Sequence, residues 1–129
     1  MSPLAPVLTA AAVFAGFTTI TSAQVLEHTT RFIWEDAPFP RAHASTIVEA
    51  PDGSLISAWF GGSGEGNKDV GIWSSRKPRG GAWLPPTELY KEPGQPAWNP
   101  VLFRDASDTI WLFFKVGPSP REWSGAYMK

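Results

Sequence analysis

H-A-S-T-I-V-E-A-P-D-G-S-L-I-S-A-W-F-G-G (residues 43–62) and, six residues on, D-V-G-I-W-S-S-R-K-P-R-G-G-A-W (residues 69–83) carry three apolar runs separated by turn chemistry. Residues 44–48 include the β-branched Thr46, Ile47 and Val48, a strand composition. At Pro51-Asp52-Gly53 the proline sets φ, the aspartate bonds back to the backbone and the glycine accepts a positive φ. Residues 55–60 then read as the return strand and residues 70–75 as a third, with the glycine-rich residues 61–67 between them as a loop. A basic turn over residues 76–81 precedes Trp83, and a short fourth segment ends near Tyr90. The expectation is a four-stranded antiparallel sheet. Upstream, R-F-I-W (residues 31–34) reads as a short extended run, and Pro38 and Pro40 make residues 36–41 a loop.

The same order restarts downstream. Residues 99–103 form a strand, 104–108 a turn, T-I-W-L-F-F-K-V (residues 109–116) a strongly apolar strand, 117–122 a loop, and Trp123 opens a further strand. The second cycle starts about 55 residues after the first, a little above the ~40–50 residues of a propeller blade. Strand spacing alone suits a small β-sandwich as well; the repeat favours the propeller. The expected fold is therefore all-β, a partial β-propeller of about two four-stranded antiparallel blades. Blade one covers about residues 43–90, and an incomplete blade two covers about 97–129.

Composition agrees. Seven Trp and eight Phe supply a large apolar area, while thirteen Pro and twelve Gly favour short elements joined by turns. Residues 1–23 hold no charged side chain, contain an apolar segment over 10–17 and end in the small-residue site Thr21-Ser22-Ala23. That pattern predicts a secretory signal peptide followed by an extended segment over residues 24–42. The apolar segment is short for a bilayer span, so no stable membrane insertion is expected after cleavage. A net charge of −1 argues against nucleic acid as a partner. The absence of cysteine excludes thiolate zinc, and His28 and His43 show no metal-ligand pattern. G-G-S-G-E-G (residues 61–66) lies between strands with no helix after it, unlike a nucleotide loop. No cofactor and no metal are expected.

The stretch from His43 to Trp83 resembles the first blade of the sialidase (BNR-repeat) superfamily. In that family the blade opens on an arginine that clamps the carboxylate of sialic acid, ten residues before the hairpin glycine. Ten residues before Gly53 stands His43, with Arg41 two positions upstream on the same strand face. Where the second family arginine would follow the return strand stands Gly61-Gly62. The family's Asp-box, S-x-D-x-G-x-T-W, retains only Gly80 and Trp83 over residues 76–83. The resemblance is closer to a branch with H-A-S-T in its first blade and W-N-P-V-L-F and V-G-P-S-P-R-E-W in its second. It implies a secreted carbohydrate-active protein whose partner is an acidic carbohydrate or glycoconjugate. Related propellers include hydrolases and lyases of uronic-acid glycans.

The resemblance and the residues together nominate a site. His43 is the candidate general acid/base or ligand donor. Glu65 and Asp69 are a candidate carboxylate pair, Asp69 directly preceding the third strand. Arg41, Trp98, Asn99, Lys115 and Arg121 are candidate substrate contacts: cations for a carboxylate, an indole for stacking, an amide for hydroxyls. Each has a plain structural counterpart. His43 can serve a strand start, Trp98 a core, Lys115 can snorkel to solvent, and the two acids can decorate a loop. The family's remaining catalytic groups would come from other blades, so this chain alone is expected to be inactive. Its rivals are a non-catalytic glycan-binding module and a uronic-acid lyase relative.

Overall fold

A computed structural model describes residues 29–129; the expected signal peptide lies outside the described residues. Seven strands follow one another: β1 (Arg41–Glu49), β2 (Leu55–Gly62), β3 (Gly71–Lys77), β4 (Thr87–Tyr90), β5 (Ala97–Arg104), β6 (Ile110–Ser119) and β7 (Glu122–Met128). They form two antiparallel meanders, β1-β2-β3-β4 and β5-β6-β7, all neighbours in sequence. The fold is all-β, as expected, with a four-stranded first sheet and a three-stranded second that matches the expected incomplete second blade.

The two hairpins β1-β2 and β5-β6 are the same object shifted by 55 residues. His43 faces Phe60 and Thr46 faces Ala58 in the first; Trp98 faces Lys115 and Val101 faces Phe113 in the second. Between those pairs each first strand carries an extra residue, a β-bulge that re-aims the chain. The bulged residues Ala44 and Asn99 are correspondingly left-handed, with φ of 52° and 40°. The turns match as well. Ala50 N–H donates to Ser54 O and Gly53 N–H to Ala50 O; Asp105 N–H donates to Thr109 O and Asp108 N–H to Asp105 O. Gly53 (φ 76°) and Asp108 (φ 67°) occupy the same left-handed corner, which glycine enters freely and aspartate tolerates.

One face of the first sheet and one face of the second close a shared core. Ala58, Phe60, Val70 and Ile72 meet Ala97, Trp98, Leu112 and Phe114. Polar links cross the same seam: Ala97 N–H to Val70 O at 3.0 Å and Leu102 N–H to Thr46 Oγ1 at 3.2 Å. Burial of this apolar area is the dominant stabilising term.

Strand ends depart from the sequence reading. Residues 31–34 form no strand. Pairing runs further than the apolar pattern: Arg41 and Ala42 join β1 because Gly62 and Gly61 continue β2 opposite them. Gly61 is required for a second reason. A Cβ there would stand 2.6 Å from the ring of Phe39, which packs on Trp73 with centroids 4.6 Å apart. The place of the second family arginine is thus used to admit an aromatic ring.

Candidate functional site

The β1 bulge leaves His43 exposed at the end of an aromatic column. Its ring stacks on Phe60 (centroids 5.5 Å, planes 18° apart), and Phe60 meets Trp98 edge-on at 5.8 Å. Beside it lies a depression of about 390 Å³ lined by residues 31–34, by Ala42, His43, Ala44 and Ser45, and by Trp59. Arg31 and His43 supply its polar groups and the half-buried Trp34 its accessible indole, Trp59 being buried at 7% exposure, and no carboxylate lines it. Arg41, two positions upstream of His43, is exposed, pairs with Gly62 and does not line this depression.

Trp98 takes the structural course. It is 3% exposed, and its indole N–H donates to Gly117 O at 2.9 Å. The β2–β3 loop closes over it: a Cβ on Gly66 would lie 3.3 Å from the ring. Of the two readings the sequence leaves open for Trp98, sugar platform and core residue, its burial favours the core. The equivalent position in the first blade is His43, so the repeat places an exposed imidazole and a buried indole at matching points.

Asn99 and Lys115 share a second depression, about 380 Å³, with Phe113, Trp123 and Tyr127 on the outward face of β5-β6-β7. Lys115 Nζ sits 4.8 Å from the centre of the Trp123 ring, a cation–π contact. Arg121 does not join them. It lies on the β6–β7 turn, where its N–H donates to Ser119 Oγ.

Glu65 and Asp69 both belong to the exposed β2–β3 loop. Asp69 is occupied. Its carboxylate accepts from Ser63 N–H (2.9 Å) and Ser63 Oγ–H (2.8 Å), while Asn67 Nδ2–H donates to Ser63 Oγ. The Ser63 hydroxyl, then the Ser63 amide, hold the Asp69 carboxyl below the usual carboxylate range. A general acid needs the opposite shift. Asp69 is engaged as a loop anchor, and a carboxyl held low suits the ionised member of a carboxylate pair rather than its proton donor.

Two residues that sequence reasoning does not nominate stand in the His43 depression, Arg31 and Trp34. In sequence they read only as part of a short extended run. The signal available is compositional: R-F-I-W concentrates a cation and two aromatics just before the Pro-rich loop.

Two antiparallel sheets that repeat at 55 residues and share an aromatic core define the chain as propeller-type, with two blades described. Residues 53–129 match the model of the BNR repeat-like domain family. That is more than half of the chain, and the chain belongs to this family, in keeping with the sialidase/BNR-repeat superfamily. The matched region contains Glu65, Asp69, Trp98, Asn99, Lys115 and Arg121; Arg41 and His43 precede it. Comparison with curated proteins and with solved structures finds no significant match.

Proposed function

We propose that this chain belongs to a secreted sialidase-like protein acting on acidic sugar termini, and that it contributes recognition of the sugar rather than cleavage. The observation that carries the reading is the His43 depression: Arg31, His43 and the half-buried Trp34 around one hollow, with Trp59 buried beneath and no carboxylate in the lining. A guanidinium fork suits a sugar carboxylate, an imidazole adds a donor, and an indole offers an apolar face to the ring. Glycosidic cleavage by paired carboxylates needs one acid with a raised pKa and a second carboxylate held at a set distance. Asp69 is held below the usual carboxylate range by Ser63, which fits the ionised member of such a pair but not its proton donor, and neither Asp69 nor Glu65 lines the His43 depression, which favours the binding reading over a complete catalytic centre.

The test is titration of the protein with N-acetylneuraminate, galacturonate and neutral galactose, followed by tryptophan fluorescence. The acidic sugars should bind and galactose should not. A hydrogen bond to a charged group is worth about 1.5–3 kcal/mol, so His43→Ala should weaken acidic-sugar binding by about tenfold or more. Incubation with sialoside and uronoside substrates should release no sugar. Equal binding of galactose, or turnover that His43→Ala leaves intact, would overturn the reading.

A further inference from the structure

We infer that recognition extends over a second subsite, formed by Arg31, Trp34, Lys77 and Trp83, and that the ligand is an acidic oligosaccharide of two or more residues. This rests on the acidic-sugar reading above and adds the length of the ligand to it. A hollow of about 430 Å³ adjoins the first and shares the whole lining of residues 31–34 with it. On its far side stand Lys77 and Trp83. Neither hollow is lined by Asp or Glu. Each combines a cationic side chain with an indole, and Arg31 and Trp34 are common to both.

The turn after β3 builds this second hollow. Gly81 N–H donates to Pro78 O, Leu84 N–H to Arg76 O and Ser75 Oγ–H to Leu84 O, which returns the chain and brings Trp83 back beside the end of β3. Gly80, with φ 72°, permits the reversal. The three cations of that turn are not equivalent. Arg76 is held by Asp52 at 2.6 Å and by Ser54, and the Arg79 side chain lies along Gly53. Lys77 alternates to the other face, lines the hollow, and makes no ion pair among the described residues.

Position along the strands sets the ligand's length. The first hollow lies at the row of Trp59 and Trp73, the second at the row of Leu55 and Lys77. Four strand positions separate the rows, about 13 Å at ~3.3 Å per residue. That is longer than one pyranose ring. Phe32, 81% exposed, lines both hollows. An acidic peptide would satisfy the cations as well, but the indoles favour flat apolar sugar faces.

Calorimetric titration of the full chain with galacturonic acid, trigalacturonate and triglutamate decides the matter. Trigalacturonate should bind about tenfold more tightly than the monomer. Lys77→Ala, at a half-buried lysine, should abolish that gain and leave the monomer's Kd unchanged; Trp83→Ala should do the same if circular dichroism shows it folded. Equal affinity of monomer and trimer, or a Lys77→Ala variant that keeps the gain, removes the second subsite while the acidic-sugar reading stands. Triglutamate binding as tightly as trigalacturonate removes the sugar class. No binding of either galacturonate ligand removes the second subsite, and the acidic-sugar reading falls with it only where N-acetylneuraminate also fails to bind.

Discussion

Individual carboxylates in this chain are used to fix turns. Asp52 accepts from the amide and hydroxyl of Ser54 and pairs with Arg76. Asp105 is more heavily engaged, accepting from Ser107 Oγ–H (2.6 Å), Ser107 N–H (2.8 Å), Thr109 N–H (3.0 Å) and Trp111 Nε1–H (2.7 Å). The Ser107 hydroxyl, followed by the Trp111 indole, lowers its pKa to about 2. A pKa depressed by folding means that the unfolded chain binds the proton more tightly. The stabilisation is complete above the ordinary aspartate value of ~3.9 and is lost as pH falls through about 2. Urea midpoints measured between pH 5 and pH 2 should therefore fall in acid, and Asp105→Asn should flatten that limb while lowering the plateau above it. A variant with an unchanged acid limb would show that Asp105 does not carry this dependence. The sequence showed the Pro51-Asp52-Gly53 turn because all three residue types point to it. The Asp105 bonds to Ser107 and Thr109 are local, but the Trp111 bond forms only once β5 pairs with β6, so the full anchor was not legible.

At the scale of elements, strand centres were legible and strand ends were not. The centres follow from β-branched and aromatic alternation; the ends follow from what lies opposite, as where Gly61 and Gly62 extend pairing to Ala42 and Arg41. The 55-residue repeat was also visible, yet it did not decide between the two readings of Trp98. A Trp-Asn pair opening a blade suggests a sugar platform, whereas the Gly66 loop and the Gly117 carbonyl enclose the indole. Neither is near it in sequence. Because Trp98 joins both sheets, Trp98→Ala should cost about 3–5 kcal/mol. Trp98→Phe keeps most of the apolar contact but strands the Gly117 carbonyl, a loss of about 1–3 kcal/mol. Urea unfolding followed by both fluorescence and circular dichroism checks this. The two probes should give one shared transition, its midpoint lowered by Trp98→Phe and lowered further by Trp98→Ala. Separate transitions would mean that the sheets are stable independently and that the seam matters less than its burial suggests.

For the molecule as a whole, the two blades treat equivalent faces differently. In the first sheet Thr46, Val48 and Ala58 lie on the face that the second sheet covers; Ala58 is 0% exposed. Their counterparts by the 55-residue shift are Val101, Phe103 and Phe113, which are 54%, 55% and 45% exposed. Tyr127, paired with Phe113, is 68% exposed, and Trp123 is 48% exposed beside them. An apolar face of this size is one that a further sheet or a second copy would cover. Two lysines moderate it, with Lys115 over Trp123 at 4.8 Å and Lys129 over Trp111 at 5.6 Å. Face-to-face contact between copies would bring these ammonium groups together, so association should be weak at low salt and strengthen as ions screen the repulsion. Covering an exposed aromatic ring contributes about 1.5 kcal/mol, so Tyr127→Lys should lower the association constant by roughly tenfold or more. Sedimentation velocity from low to moderate ionic strength provides the measurement. Association that weakens as salt rises would show that charge attraction rather than the aromatic face holds the copies together. A Tyr127→Lys variant sedimenting like the parent would place the contact elsewhere, with the edge of β7, unpaired among the described residues, the next surface to test.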